Sequence, residues 1–172
     1  SEEAEYFVKN VDYSSSGQIT KIEYGNGVIT DYTYDNNTLR LTHLVSKKLA
    51  DLVIIIQDLS YQYDSAGNII QITDAVNSGS QTFNYDELNR LIRANGAAYG
   101  VKNYSYNAIG NILSKDGLTF NYAAGGAGPH AVTSLSDGTS FTYDANGNMN
   151  SLVKGSTTTN YEYDLENRLK QV

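Results

Sequence analysis

Residues 61–72 read Tyr61-Gln62-Tyr63-Asp64-Ser65-Ala66-Gly67-Asn68-Ile69-Ile70-Gln71-Ile72. Two aromatics at i and i+2 point to one face of an extended strand, and aromatics favour a pleated, half-buried surface. Asp64 follows at once. Its side chain can accept backbone N–H groups two residues on, and Gly67 and Asn68 tolerate positive φ, so the segment reads as a turn. A second strand then starts at Ile69. Ile69 and Ile72 are three apart rather than two, as are Leu91 and Ala94 further on, which predicts a bulge or a change of face early in that strand.

The same hairpin is written along the whole chain. Tyr32-Thr33-Tyr34-Asp35, Phe83-Asn84-Tyr85-Asp86 and Tyr104-Ser105-Tyr106-Asn107 are copies. So are Phe120-Asn121-Tyr122-Ala123, Phe141-Thr142-Tyr143-Asp144, Tyr161-Glu162-Tyr163-Asp164 and a weaker Val11-Asp12-Tyr13-Ser14. The second Tyr falls at 13, 34, 63, 85, 106, 122, 143 and 163, in steps of 21, 29, 22, 21, 16, 21 and 20. Of the 19 aromatics (15 Tyr and 4 Phe), 15 occupy these slots. The turn slots are patterned too. Gly67-Asn68-Ile69, Gly110-Asn111-Ile112 and Gly147-Asn148-Met149 match, as do Asn89-Arg90-Leu91 and Asn167-Arg168-Leu169, with Gly17-Gln18-Ile19 as the first version. Residues 1–172 therefore read as a single array of about eight units of about 21 residues, each holding two short strands and two turns. The expected fold is all-β, with roughly sixteen antiparallel strands in sequence order.

Two places break the period. The 29-residue step has about eight extra residues around Val45–Gln57, including Lys47-Lys48-Leu49-Ala50 and Val53-Ile54-Ile55-Ile56. The β-branched run predicts a buried strand, with a long loop or short helix before it. The 16-residue step is followed by a Gly-rich segment, Ala123–Pro129, which reads as an irregular loop.

Composition excludes several classes. With no Cys there is no disulfide scaffold, thiolate zinc site or thiol nucleophile. The longest apolar run, Leu52–Ile56, is far short of a membrane-spanning helix. The net charge is −7 and no stretch is basic, which argues against nucleic acid as a partner. The opening Ser1-Glu2-Glu3-Ala4-Glu5 lacks the basic end and apolar core of a signal peptide. It reads as a cut inside a longer protein, in which further repeats continue on both sides.

No residue is assigned a catalytic role, and no cofactor or metal is expected. Asp144-Ala145-Asn146-Gly147-Asn148 has the alternating oxygens of a calcium loop, but Gly155 stands where the closing Glu would be, so the segment reads as a turn. His43 and His130, the two histidines, lie in separate units and are taken as structural. Ser134 and Ser136 follow His130 without a nucleophile elbow. Gly125-Gly126-Ala127-Gly128 lacks the Lys and the strand-to-helix setting of a phosphate loop. The recurrence of Asp after Tyr argues for architecture, because an active site occurs once.

These units resemble the YD repeats of the Rhs family, which includes bacterial Rhs toxins, the B and C components of insect-active Tc toxins, and animal teneurins. The resemblance rests on Tyr63-Asp64-Ser65-Ala66-Gly67-Asn68-Ile69, Tyr85-Asp86-Glu87-Leu88-Asn89-Arg90-Leu91 and Tyr163-Asp164-Leu165-Glu166-Asn167-Arg168-Leu169. Tyr24-Gly25-Asn26-Gly27-Val28 and Pro129-His130-Ala131-Val132-Thr133-Ser134-Leu135 add to it. It implies a long antiparallel sheet that spirals as part of a hollow shell around a C-terminal toxin polypeptide, in a protein secreted by or displayed on a bacterium. The partners so implied are further YD repeats and that cargo. The family's releasing aspartyl protease segment is not matched here. Two alternatives stand beside this reading. One is an extracellular adhesion or carbohydrate-binding module that uses the Tyr ladder for glycans. The other is an enzyme on a β-propeller with two units per blade.

Overall fold

The computed structural model describes residues 6–49 and 52–172. Ser1–Glu5 and Ala50, on which two of the expectations above fall, lie outside the described residues. The chain divides into two compact units, one ending at Val101 and one running from Lys102 to Val172. Among the described residues there is no α-helix, only a three-residue 3-10 turn at Ala124–Gly126.

In the first unit eight strands follow one another in a continuous antiparallel order. They are β1 (Val8–Tyr13), β2 (Ile19–Tyr24), β3 (Val28–Tyr34), β4 (Leu41–Leu49), β5 (Val53–Tyr63), β6 (Ile69–Asp74), β7 (Gln81–Tyr85) and β8 (Leu91–Gly96). A propeller blade would break the ladder every four strands; here it runs through all eight. The second unit holds β9 (Gly100–Tyr106), which starts at the division, β10 (Ile112–Lys115), β11 (Leu118–Tyr122), β12 (Val132–Leu135), β13 (Ser140–Tyr143), β14 (Met149–Lys154) and β15 (Thr157–Asn160). These too are ordered by sequence, and a separate two-strand ladder joins β16 (Glu162–Tyr163) to β17 (Leu169–Gln171).

Each second tyrosine is the last residue of its strand, and the next strand always starts with a bulge in the same register slot. Gln62 faces Gln71 while Tyr63 faces Ile69, so Ile70 has no opposite residue. The same two-for-one step places Tyr13 on Ile19, Tyr34 on Leu41, Tyr85 on Leu91, Tyr106 on Ile112, Tyr122 on Val132, Tyr143 on Met149 and Tyr163 on Leu169. This extra residue explains the three-residue apolar spacing: it returns the following side chains to the face that simple alternation would have left.

The two faces differ in kind. At every complete copy the two aromatics are half-buried, while the residue between them (Thr33, Gln62, Asn84, Ser105, Asn121, Thr142 or Glu162) is exposed. Half-burial is as deep as most side chains go. Ala94 is the one apolar residue that is fully buried among those described, beside the polar Thr30, Ser46, Asn111 and Thr139. Within each unit the cover over an aromatic comes from its ladder neighbours, because consecutive strands supply the inter-strand packing.

The insertion in the 29-residue step differs from its expectation. Lys47-Lys48-Leu49 continues β4, and Val53–Ile56 opens β5, so the described extra residues lengthen one hairpin instead of making a loop or helix. Val53, Ile54, Ile55 and Ile56 are 59%, 55%, 41% and 46% exposed, not buried. A β-branched run fixes an extended backbone; burial requires a covering layer, and no described residue supplies one. The Gly-rich Ala123–Pro129 is a long turn between β11 and β12 that contains the 3-10 turn.

The two-faced strand sets a test. Phe83→Ala, on the half-buried face of β7, is expected to destabilise the chain by about 1–2 kcal/mol, whereas Asn84→Ala on the exposed face stays within about 0.5 kcal/mol. Urea unfolding of both variants measures the difference.

Candidate functional site

The recurring feature is the junction between the tyrosine-ended strand and the turn after it. At the turn, the N–H of the residue after Tyr donates to the carbonyl just before the next strand. Asp64 donates to Asn68 at 3.0 Å, Asp86 to Arg90 at 3.0 Å, Asn107 to Asn111 at 2.9 Å, Asp144 to Asn148 at 2.9 Å and Asp164 to Arg168 at 3.0 Å. Asp35 reaches Arg40 at 2.9 Å across a turn one residue longer, and Ala123 reaches Ala131 at 3.2 Å across the Gly-rich insertion. Inside this frame the carboxylate collects the loose turn amides. Asp64 Oδ1 accepts the N–H groups of Gly67 (2.8 Å) and Asn68 (2.9 Å), and Oδ2 accepts Asn68 Nδ2 at 2.9 Å. Asp144 takes the N–H groups of Asn146 and Asn148 and the Asn148 amide in the same way. Asp86 and Asp164 accept the N–H and the guanidinium Nε of Arg90 and Arg168.

These bonds favour the ionised acid. The Asn68 side chain does most to hold Asp64 below the usual carboxylate range, as Asn148 does for Asp144 and the Arg90 guanidinium for Asp86. Asp35 is lowered chiefly by the Thr38 N–H and Asp164 by the Arg168 N–H. The turn also needs a left-handed residue. Gly67, Gly110 and Gly147 (φ 97, 90 and 87) fill that slot, and Asn89 and Asn167 (φ 59 each) replace Gly there. A Cβ at Gly67 would lie 2.4 Å from Arg40 Nη2, the flexible end of a side chain that can shift, so the positive φ is what calls for glycine there.

Six of the strand-ending tyrosines join their hairpin to the one before it. The Tyr63 hydroxyl donates to the Leu41 carbonyl at 2.7 Å, and Leu41 is the residue paired with the preceding tyrosine, Tyr34. Tyr34 donates to Ile19, Tyr85 to Ile69, Tyr122 to Ile112, Tyr143 to Val132 and Tyr163 to Met149, at 2.7–3.1 Å and in the same relation. Partial burial raises the phenol pKa of Tyr63, Tyr85, Tyr122 and Tyr143, so the donating form is kept.

A further contact links successive turns. Asn68 Nδ2 donates to Asn89 Oδ1 (2.8 Å), and Asn148 Nδ2 to Asn167 Oδ1 (2.8 Å), while Gln18 Nε2 reaches the Leu39 carbonyl. The Arg40 guanidinium sits 5.6 Å from the Tyr63 ring centroid. The sequence places Gln18, Asn68, Asn89, Asn148 and Asn167 in turn slots but names no contact between them and gives Leu39 and Arg40 no role; the one signal was the recurrence of amide and guanidinium side chains in a single slot.

The candidates for chemistry are dispersed. His43 Nε2 meets Asp58 Oδ1 at 2.7 Å across β4 and β5, and His130 Nδ1 meets Asn111 Oδ1 at 2.6 Å. Ser134 Oγ accepts from Asn121 Nδ2 and Ser136 Oγ from the Thr119 N–H. No cluster of three or more His, Cys, Asp or Glu suited to a metal occurs among the described residues. The Asp144 oxygens are turned onto the amides of their own turn.

The chain is similar to known proteins in sequence and in fold. Residues 63–101 match the family described as RHS Repeat. The chain is similar to the toxin subunit YenC1 of Yersinia entomophaga, at 29% identity over 87% of this chain and 20% of the relative. It is also similar to YenC2 of the same organism, at 33% identity over 52% of this chain and 10% of the relative. The chain thus spans a fifth or less of the length of these curated relatives. Among solved structures, a TcdB2-TccC3 crystal structure shares the fold at TM-score 0.63 and 22% identity, covering 95% of this chain and 11% of that one. The Tc holotoxin pore of Photorhabdus luminescens does so at 0.62 and 22%, covering 96% and 11%.

Two outcomes are expected. Tyr143→Phe removes the hydroxyl bonded to Val132 and should cost about 0.5–1.5 kcal/mol in urea unfolding. The second concerns acid. A carboxylate whose folded pKa is depressed contributes stability that is present above its unfolded value and lost as pH falls through the folded one. The chain should therefore lose stability as pH drops through the lowered Asp values, and Asp64→Asn combined with Asp144→Asn should flatten that acid limb in pH-dependent unfolding.

Proposed function

We propose that this chain, an array of Rhs/YD repeats, is a structural segment of an Rhs-type β-shell that encapsulates a C-terminal toxin polypeptide of its parent protein and helps deliver it. The observation that carries this reading is the sameness of the junction. The same bulge and the same turn recur from hairpin to hairpin, with a tyrosine-to-carbonyl bond linking neighbours. Such a unit can be added indefinitely, which suits a wall. A bulge strengthens local twist, and one in the same slot of every hairpin favours a sheet that curves. The likeness to toxin subunits, and to the fold of TcdB2-TccC3, points the same way.

The mechanism is sequestration. A wall of paired strands denies the enclosed polypeptide folding partners, proteases and its targets until release. The Asp, Asn and Arg side chains serve the wall's turns, and the role is not enzymatic. Delivery implies that the parent acts outside the bacterium that makes it. A carbohydrate-binding surface is less well supported, because the tyrosine rings are half-buried and several of their hydroxyls are committed to backbone carbonyls.

Electron microscopy of the full-length parent tests the reading. A hollow particle with density inside is expected. Paired Tyr→Ala changes in the ladder, such as Tyr63→Ala with Tyr85→Ala, should then make the enclosed polypeptide protease-sensitive. A solid rod or compact disc without a cavity would overturn it.

A further inference from the structure

One sheet edge in the first unit is long, apolar and uncovered. β5 pairs with β6 from Tyr63 back to Leu59, and the Asp58 carbonyl accepts the Ala75 N–H at 3.0 Å. From Gln57 back to Val53, β5 is paired with β4 alone among the described residues. That free stretch is Val53-Ile54-Ile55-Ile56-Gln57, preceded by Leu52, without a charge, a Pro or a Gly. Leu52 is 79% exposed, and both faces of the strand are open. An uncharged β-branched edge of this kind is a template for pairing with another strand. The repeat does not require it: the other hairpins make the same junction without the insertion.

We propose that this edge is a homotypic docking strand, on which β5 of a second copy of the chain pairs antiparallel about a two-fold axis at Ile54. The sequence of the segment argues for a second copy as the occupant. In that register Ile54 faces Ile54 of the second copy, Val53 faces Ile55 and Leu52 faces Ile56, so these facing pairs are all apolar; Gln57 falls opposite residue 51, an Asp, and no like charges face each other. Each strand supplies the same unpaired backbone groups, so both edges are satisfied at once. The outer edge of β1, by contrast, carries Lys9, Asn10 and Asp12, which blunt it against an isoleucine strand. The bulge at Ile56, where Ser46 faces Gln57 and Lys47 faces Ile55, interrupts the ladder on the inner side and confines docking to the hairpin's end. An isologous contact closes at two copies.

Sedimentation equilibrium of this chain over a wide concentration range tests the proposal. A monomer–dimer equilibrium is expected. Ile54→Lys, which sets two ammonium groups against each other at the axis, should abolish it, whereas Leu165→Lys, at a fully exposed turn position of the other unit, should leave it intact. Circular dichroism checks that both variants are folded. Because the chain has no cysteine, Ile54→Cys gives a single thiol, which should form a disulfide-linked dimer on mild oxidation while Leu165→Cys does not. A chain that stays monomeric across that concentration range would overturn the proposal and leave the edge to a different occupant. Association that survives Ile54→Lys, or that is lost equally with Leu165→Lys, would overturn it as well.

Discussion

The hydrogen bond from a strand-terminal tyrosine to the carbonyl of the preceding hairpin is the contact on which the rest of the arrangement depends. It forms because the tyrosine stands at the last position of its strand. The bulge that follows places the first residue of the next strand directly opposite, with its carbonyl left for the next tyrosine to reach. A one-residue change in either element would turn the phenol to the other face. The bulge and the turn are thus consequences of the same requirement, and the Asp carboxylate is the group that makes so tight a turn tolerable. It gathers two backbone amides and an Asn or Arg side chain that would otherwise face one another without an acceptor.

This device stands in for a core. With Ala94 the one fully buried apolar residue among those described, the chain does not draw its stability from a closed hydrophobic interior. Aromatic rings are covered by their neighbours along the ladder, each hairpin half-burying the next, so stability accumulates between nearest neighbours as in other repeat architectures. His43 and His130 are each held by one local partner, and the recurrent acids are spent on their own turns.

Much of this was legible. The aromatic at i and i+2 marked the strand, the Asp and the Gly-Asn or Asn-Arg pairs marked the turn, and the offset between Ile69 and Ile72 marked the bulge. These are local effects, written in residues a few positions apart. What stayed illegible was anything that depended on a neighbour about one repeat away: the acceptor of each tyrosine hydroxyl, the Asn68–Asn89 and Asn148–Asn167 contacts, and the Arg40 guanidinium that fills the space beside Gly67. Their spacing follows the repeat length, and nothing in one unit names its partner in the next.

The insertion shows where local reading ends. Val53-Ile54-Ile55-Ile56 determined an extended backbone by itself, because β-branched side chains restrict χ1 and suit a pleated strand. Whether those side chains were buried was decided by what lay beside β5, and the tertiary structure places no described strand there. In the same way the sequence alone determined the repeat, its turns and its strand ends, since those follow from backbone preferences and hydrogen bonds within a few residues. Only the tertiary structure decided which carbonyl each tyrosine reaches and which edge is left open, because both depend on the register between strands distant in the chain.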